Sequence, residues 1–351
     1  MRLSTLVIAL SLAGCSSLPH RSSPPPVFPE PPEQARFVYD GSLRASKDVE
    51  EKSFGESLQS LLTGATNDAR ALVKPYGVVA HRGKVYVSDT IQRAVVVFDI
   101  SGKKYWLIGE EGEGSLVKPL GLDISVNDEL YVADISARRI AVFDLQGGFL
   151  RALGDERSLV RPSSVNVSLD GKIAYVVDTG GIETQQHQVQ LFDTQSGKLI
   201  KTLGSRGQGK DQFNLPLQAT VASNGDLYVV DSGNFRIQQI NPQSGQFVRQ
   251  IGTLGRRPGQ FSRPKGIAND AQGNIYVVDT AFGNVQIFNA QGELLMHIGE
   301  RGTSGIPGRY MLPAGVDVDQ DGRIYVVDQF FRKIDIYRPA DLPSLPDIPK
   351  L

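Results

Sequence analysis

Few residues in this chain have the chemistry for catalysis or metal binding. Asp123, Asn166 and Asp317 occupy one shared position of a repeated segment. Two carboxylates and an amide are the oxygen ligands a hard cation such as calcium takes. Three imidazoles, His81, His187 and His297, lie in the body of the chain, with His20 near its start. Zinc would need several of them within about 2 Å of one point. The run Asp317-Val-Asp-Gln-Asp-Gly322 reads like the opening of an EF-hand loop. The next residues, Arg323-Ile-Tyr-Val-Val, read as a strand and not as the rest of a calcium loop. The corresponding turn one repeat earlier, Asn269-Asp-Ala-Gln-Gly273, lacks the Asp pattern. No Ser-His-Asp arrangement and no Gly-rich phosphate loop is apparent.

The elements that would position these groups come from a repeat. Six times an apolar residue precedes Tyr, Val, a small residue and Asp, ending at Asp89, Asp134, Asp178, Asp231, Asp279 and Asp328. The spacings are 45, 44, 53, 48 and 49 residues, the signature of a repeat architecture. A Pro precedes each run: Pro75, Pro119, Pro162, Pro216, Pro264 and Pro313. Gly-containing turns separate four short β-runs per unit. The second run is apolar at nearly every position, as in a strand covered on both faces. Six four-stranded antiparallel units predict an all-β fold, a six-bladed β-propeller. The sixth repeat lacks a fourth strand, and Arg36–Gly41 is an orphan strand ahead of the first. The expectation is that 36–41 closes blade six and removes two open sheet edges.

Alternation along the innermost strands predicts two sets. Val78, Leu122, Val165, Ala219, Ile267 and Val316 should point into the blades. Val79, Asp123, Asn166, Thr220, Ala268 and Asp317 should face the central channel. His81 falls on a bottom turn, His187 on the top and His297 on an outer strand, so the three do not converge on zinc.

The pattern Pro-x-Gly-Ile-Ala…Gly-x-Ile-Tyr-Val-Val-Asp-Thr…Asn-x-x-Gln-Ile-Phe, clearest in residues 264–288, resembles the NHL repeat over about residues 70–338. Phe213 and Phe261, with the Gly residues before them, match the segment that usually precedes that repeat. Blade three departs from the pattern through Gly180-Gly-Ile-Glu-Thr-Gln-Gln186. The chain also resembles bacterial lipoproteins built from one NHL propeller. Propellers of this type include peptidyl-hydroxyglycine amidating lyases, which use His-ligated zinc with Tyr and Arg; the scattered histidines do not reproduce that site. A calcium-dependent lactonase type needs an inward Glu, and no Glu here falls on an inner strand.

The N-terminus is also legible. Arg2, the apolar stretch Leu3–Leu12 and Leu12-Ala13-Gly14-Cys15 read as a secretory signal (1–14) ending at a bacterial lipobox. By resemblance, Cys15 carries a thioether-linked diacylglycerol and a palmitate-type N-acyl chain, a stable membrane anchor. Ser16 and Ser17 match the outer-membrane sorting default of the cell envelope. As the only Cys, Cys15 leaves no intramolecular disulfide. Residues 15–35 are Pro-rich and expected to be an extended tether. Residues 43–72 are expected to hold a short helix near Glu56–Leu62, and 339–351 a Pro-rich tail. A formal net charge of −1 argues against a general nucleic-acid binder.

The top face, formed by blade-to-blade loops and the loops after the repeated Asp, carries the most suggestive pattern. Lys74, Lys118, Arg161, Arg263 and Lys265 flank the repeat prolines. Phe235, Phe282, Phe330 and Phe331, with Arg236 and Arg332, occupy the neighbouring loops of blades four to six. Aromatic and Arg residues in loops are what binding hot spots use. Alternatively, the rings plug gaps between blades and the basic residues pair with the repeated Asp, itself expected to hold loop backbone. The sequence therefore favours a binding or scaffold module for an envelope protein, peptide or anionic glycan, and no cofactor is expected. The alternative is a metal-dependent lyase or hydrolase at the channel mouth, with calcium or zinc near Asp123, Asn166 and Asp317.

Overall fold

A computed structural model describes residues 24–50, 69–346 and 348–349. Cys15 and the helix expected near Glu56–Leu62 lie outside the described residues. The fold is an all-β, six-bladed propeller. Blade one consists of Pro75–His81, Lys84–Asp89, Ala94–Asp99 and Lys104–Ile108, and blades two to five repeat this meander. The inner strands, among them Pro119–Ile124, Pro162–Val167, Pro264–Asn269 and Pro313–Val318, pack each against the next, and the sixth against the first.

The repeat maps onto one register. In every blade the Pro that opens the inner strand sits opposite the Asp that ends the second strand, as in Pro75↔Asp89 and Pro264↔Asp279. A register shift occurs within three residues of each Pro. This bulge re-aims the chain where the inner strands meet around the axis. Gly266 and Gly315 lie in such bulges, and a Cβ on them would come within 2.4 and 2.5 Å of the Ala314 and Tyr76 carbonyls. Only backbone fits there, so successive blades touch main chain to main chain at the top of the channel.

Between blades the core is apolar. The second-strand residues are almost wholly buried, because each sheet is covered by a neighbour on both faces. The inner-strand alternation therefore divides differently from the expectation. Val79 packs with Tyr86, Leu122 and Val132 toward blade two, and Val78 packs with Val327 and Ile334 toward blade six. The apolar members of both sets thus face flanking blades, because a radially stacked sheet turns its edge, not a face, to the axis.

Closure occurs through the N-terminal strand, Phe37–Leu43, which pairs antiparallel with Lys333–Pro339, Tyr39 opposite Tyr337. A fifth strand, Val27–Phe28, adds outside it. The described part of the expected tether is thus folded onto blade six: Phe28 is buried edge-on against Tyr337. A buried polar set locks this closure. Lys333 and Asp335 are fully buried with Nζ 2.6 Å from Oδ2, and Ser42 Oγ donates to Asp335 Oδ1 at 2.6 Å. Burial holds the Lys333 pKa below its ordinary value while Asp335 opposes that shift. The tail returns as well: Ile348 is buried, and Leu345 N donates to buried Asp40. At the ends of the 43–72 insertion, Ala45 and Ala71 bridge and Leu43, Val49 and Leu72 enter the core.

Candidate functional site on the loop face and channel

The ring of repeated Asp residues organises the top face. All six are fully buried. Asp134 accepts the amides of Val117, Lys118, Ser136 and Ala137 at 2.6–3.1 Å. Asp328 does the same for Met311, Leu312, Phe330 and Phe331. These carboxylates therefore tie a blade-to-blade loop to the loop after their own strand, with their lone pairs spent on main chain; Asp231 instead accepts one amide, that of Asn214, and the side chains of Asn234, Arg236 and Gln238.

That accounting bears on the basic residues. Lys74, Lys118, Arg161 and Arg263 immediately precede the repeat prolines and are exposed. Their amides bind the Asp ring, yet none of their side chains forms an ion pair among the described residues. Leu215 and Leu312, at 40% and 37% exposure, occupy the same position in blades four and six. The rim is thus four cations and two leucines. Arg332 is exposed too.

Arg236 differs. It is buried, with Nε 2.8 Å from Asp231 Oδ2 and its Nη2 donating to the Gly209 and Gln212 carbonyls. It is a brace between loop and strand, which removes it from the surface candidates. Burial raises the Asp231 pKa despite this partner. Arg139, five residues after Asp134, donates to the carbonyls of Glu113 and Ser115 and not to that acid. The rings also divide. Phe330 is 55% exposed; Phe331 is half-buried and stacks edge-on against it, with centroids 5.1 Å apart. Phe235 and Phe282 are half-buried, Phe235 against the core of blades four and five. Phe330 thus stands out on the surface, and Phe235 packs in the gap between blades. Ile91 and Ile182, at 60% and 74%, add exposed apolar surface to the top loops; apolar tips inside a loop pattern rich in Gly, Asp and Gln were the signal that would have found them.

In the channel, Asp123 and Asn166 come together at the seam of blades two and three, and Asp317 lies at the seam of blades six and one. Asp123 Oδ2 accepts from Val167 N of blade three, and Asp317 Oδ2 from Ala80 N of blade one, at 2.8 and 2.7 Å. Thr220 Oγ1 likewise reaches Asn269 Oδ1. These groups brace one inner strand to the next and satisfy edge amides. Enclosure raises the Asp123 pKa to about 6 and that of Asp317 to about 8, each against its backbone hydrogen bonds. Asn166 Oδ1 has no partner. No group of three His, Cys, Asp or Glu able to hold a metal occurs among the described residues. The acids of the Asp317–Gly322 turn are engaged as well: Asp319 accepts from Tyr325 Oη and Arg323 N, and Asp321 pairs with Arg323.

The histidines are far apart in role. Buried His187 accepts the Leu215 amide at Nδ1 and meets the Gly181 carbonyl at Nε2, which fixes the Nε2–H tautomer. The insertion in blade three thereby grips blade four. His81 contacts Asp128 on the bottom, and His297 is exposed on an outer strand.

At the channel mouth stands a contact the sequence did not announce. Lys265 Nζ lies 4.6 Å from the Tyr76 ring centroid and donates to Gln329 Oε1 at 3.0 Å. Burial, then Arg263 and Lys74, lower its pKa to about 8 against the pull of Asp328.

Fold and loop face together define a six-bladed propeller built from NHL-like units around a spent acidic ring. A family model described as 6-bladed beta-propeller, DUF5128, matches residues 46–154 and 268–341, and the NHL repeat model matches 213–240. The chain belongs to this six-bladed propeller family. No curated protein matches it in sequence. A protein of unknown function from Bacteroides thetaiotaomicron has a similar structure, with TM-score 0.62 and 14% identity over 85% of this chain and 75% of that one. Hydrazine synthase of Kuenenia stuttgartiensis gives 0.55 and 15% over 79% and 98%. Virginiamycin B lyase of Staphylococcus aureus, in an inactive variant with quinupristin, gives 0.56 and 17% over 78% and 97%. At these identities the likeness is one of fold.

Proposed function

We propose that this protein is an exported, lipid-anchored binding module of the cell envelope whose top face captures an acidic, partly apolar protein or peptide. The observation that carries this is the unspent charge of the rim. Lys74, Lys118, Arg161 and Arg263 have no carboxylate partner among the described residues, because the Asp ring beneath them is consumed by backbone amides. Exposed Ile91, Leu312 and Phe330 interleave with them, which favours a protein or peptide over a glycan, since apolar and aromatic side chains supply the anchors of protein interfaces. The blades need no movement for this, and a rigid disc presenting loops suits preorganised capture.

The test is cross-linking and co-purification from envelopes with the full-length chain. Lys118→Glu with Arg161→Glu should abolish capture of the partner, and Phe330→Ala should weaken it about tenfold, with thermal stability nearly unchanged. Cys15→Ala should move the protein from the membrane to the soluble fraction. Unchanged capture by the charge-reversed variant would end this reading. The lyase or hydrolase alternative is addressed by metal analysis of the same preparation: stoichiometric zinc or calcium surviving dialysis would move the search to Asp123, Asn166 and Asp317.

A further inference from the structure

The residue after each repeat Pro lies in the bulge at the channel mouth: Tyr76, Leu120, Ser163, Leu217, Lys265 and Ala314. Lys265 is the one cation of this inner ring. Ala314, next in order, is small and buried, and the backbone contacts at Gly266 and Gly315 bring blades five, six and one close. The Lys265 side chain thus extends across blade six to the Tyr76 ring of blade one, with its ammonium tied to Gln329 of blade six. One proton goes to the amide oxygen and the ring faces the charge. No carboxylate lies within ion-pair distance among the described residues. The charged groups around it are Arg263, Lys74 and Asp328, and Asp328 already accepts four backbone amides. A half-enclosed ammonium beside two further cations is costly unless an anion joins it.

We propose that the channel mouth is a site for a single carboxylate carried on an apolar body, held by the Lys265 ammonium where it lies over the Tyr76 ring beside Gln329. The apolar body rests on the Tyr76 ring edge and on exposed Leu312 of the rim. The ammonium is preorganised by Tyr76 and Gln329, so little side-chain freedom is lost on binding. This deepens the top-face reading by naming a recognition element within it, and it rests on that reading only for the identity of the physiological partner. A carboxylate of this kind occurs both at a peptide C-terminus and on a free small acid.

The probes are N-acetyl-Leu-Phe as free acid, the same compound as its amide, and hexanoate, titrated into the full-length protein by calorimetry or ligand-observed NMR. The free acid should bind at least tenfold more tightly than the amide. Lys265→Met should remove that difference, and Lys265→Arg should retain most of it. Acid affinity should fall as pH rises above about 8, where the parent ammonium discharges; in Lys265→Arg the fall should vanish. Hexanoate binding as well as the peptide acid would identify a free small acid as the ligand source, and weaker hexanoate binding would identify a peptide terminus. Equal binding of acid and amide, no binding of either, or unchanged affinity in a folded Lys265→Met protein would overturn the proposal. Lys118→Glu with Arg161→Glu, on the other side of the face, should leave probe binding intact. Probe binding by the parent protein together with unchanged partner capture by the charge-reversed variant would therefore sink the capture reading alone.

Discussion

Two lysines of this molecule are withdrawn from water, and they are treated in opposite ways. Lys333, inside the closing blade, is fully buried and has Asp335 2.6 Å away, with Ile306 O as a further acceptor. Tyr310 and Phe331 flank the same ammonium. Lys265, at the channel mouth, also has an aromatic face and one neutral acceptor, yet two cations in place of the acid. Where the charge locks the ring, the chain supplies its counter-ion. Where the charge opens to solvent, it does not. The same contrast runs through the loops, where buried Asp residues are spent on amides and the exposed Lys and Arg one hydrogen bond away are not.

The harshest way to break the contrast is to make Lys333 resemble Lys265. Asp335→Ala leaves a buried ammonium without its acid and removes the acceptor of Ser42. Orphaning one partner of a buried pair costs about 4 kcal/mol, and strand Phe37–Leu43 should lose amide protection with the stability. Hydrogen exchange at Tyr39 and Gly41, together with chemical denaturation, checks this. A loss below about 1 kcal/mol would show that the closing strand does not depend on the pair.

A second comparison separates spent from unspent groups across a single hydrogen bond. Asp134→Ala strands four amides that the carboxylate now accepts, at a cost of about 3 kcal/mol. Lys118→Ala removes an exposed side chain whose amide still bonds Asp134, and should change stability by less than about 0.5 kcal/mol. Equal effects from the two variants, measured by thermal or urea unfolding, would mean that the Lys118 side chain is part of the scaffold.

The scaffold half of this contrast was legible in the sequence. Tyr, Val and Asp at fixed positions encode a strand buried on both faces and an acid at its end, because both follow from local spacing. The orphan strand was legible for the same reason, since a blade missing its fourth strand must find one. What escaped was set by approach between blades. Arg236 looks like any loop arginine until the Gly209 and Gln212 carbonyls of the preceding connection close over it. Val27–Phe28 sits among prolines that suggest a tether, and only Tyr337 explains its burial. Lys265 and Tyr76 belong to repeats at opposite ends of the chain, brought together only because the ring closes.

The finest distinction concerns the channel carboxyls, whose braced geometry makes a pH prediction that a metal-ligand role would reverse. Asp317 is held near pKa 8 by enclosure, against about 4 in an unfolded chain. The native state therefore binds a proton that the unfolded state releases between these values. The favourable contribution is complete below about pH 4 and is lost as pH rises through about 8. Asn keeps an acceptor for the Ala80 amide and carries no charge to bury. Asp317→Asn should thus leave the melting temperature nearly unchanged at pH 4 and raise it by about 3 °C at pH 9. Lys265 shifts stability with the opposite sign, lost as pH falls through about 8, and taking variant minus parent at each pH cancels it. A carboxylate that served as a metal ligand would instead make the Asn variant less stable at pH 9, where the charged form binds the ion, so the sign of one difference assigns Asp317 to brace or to site.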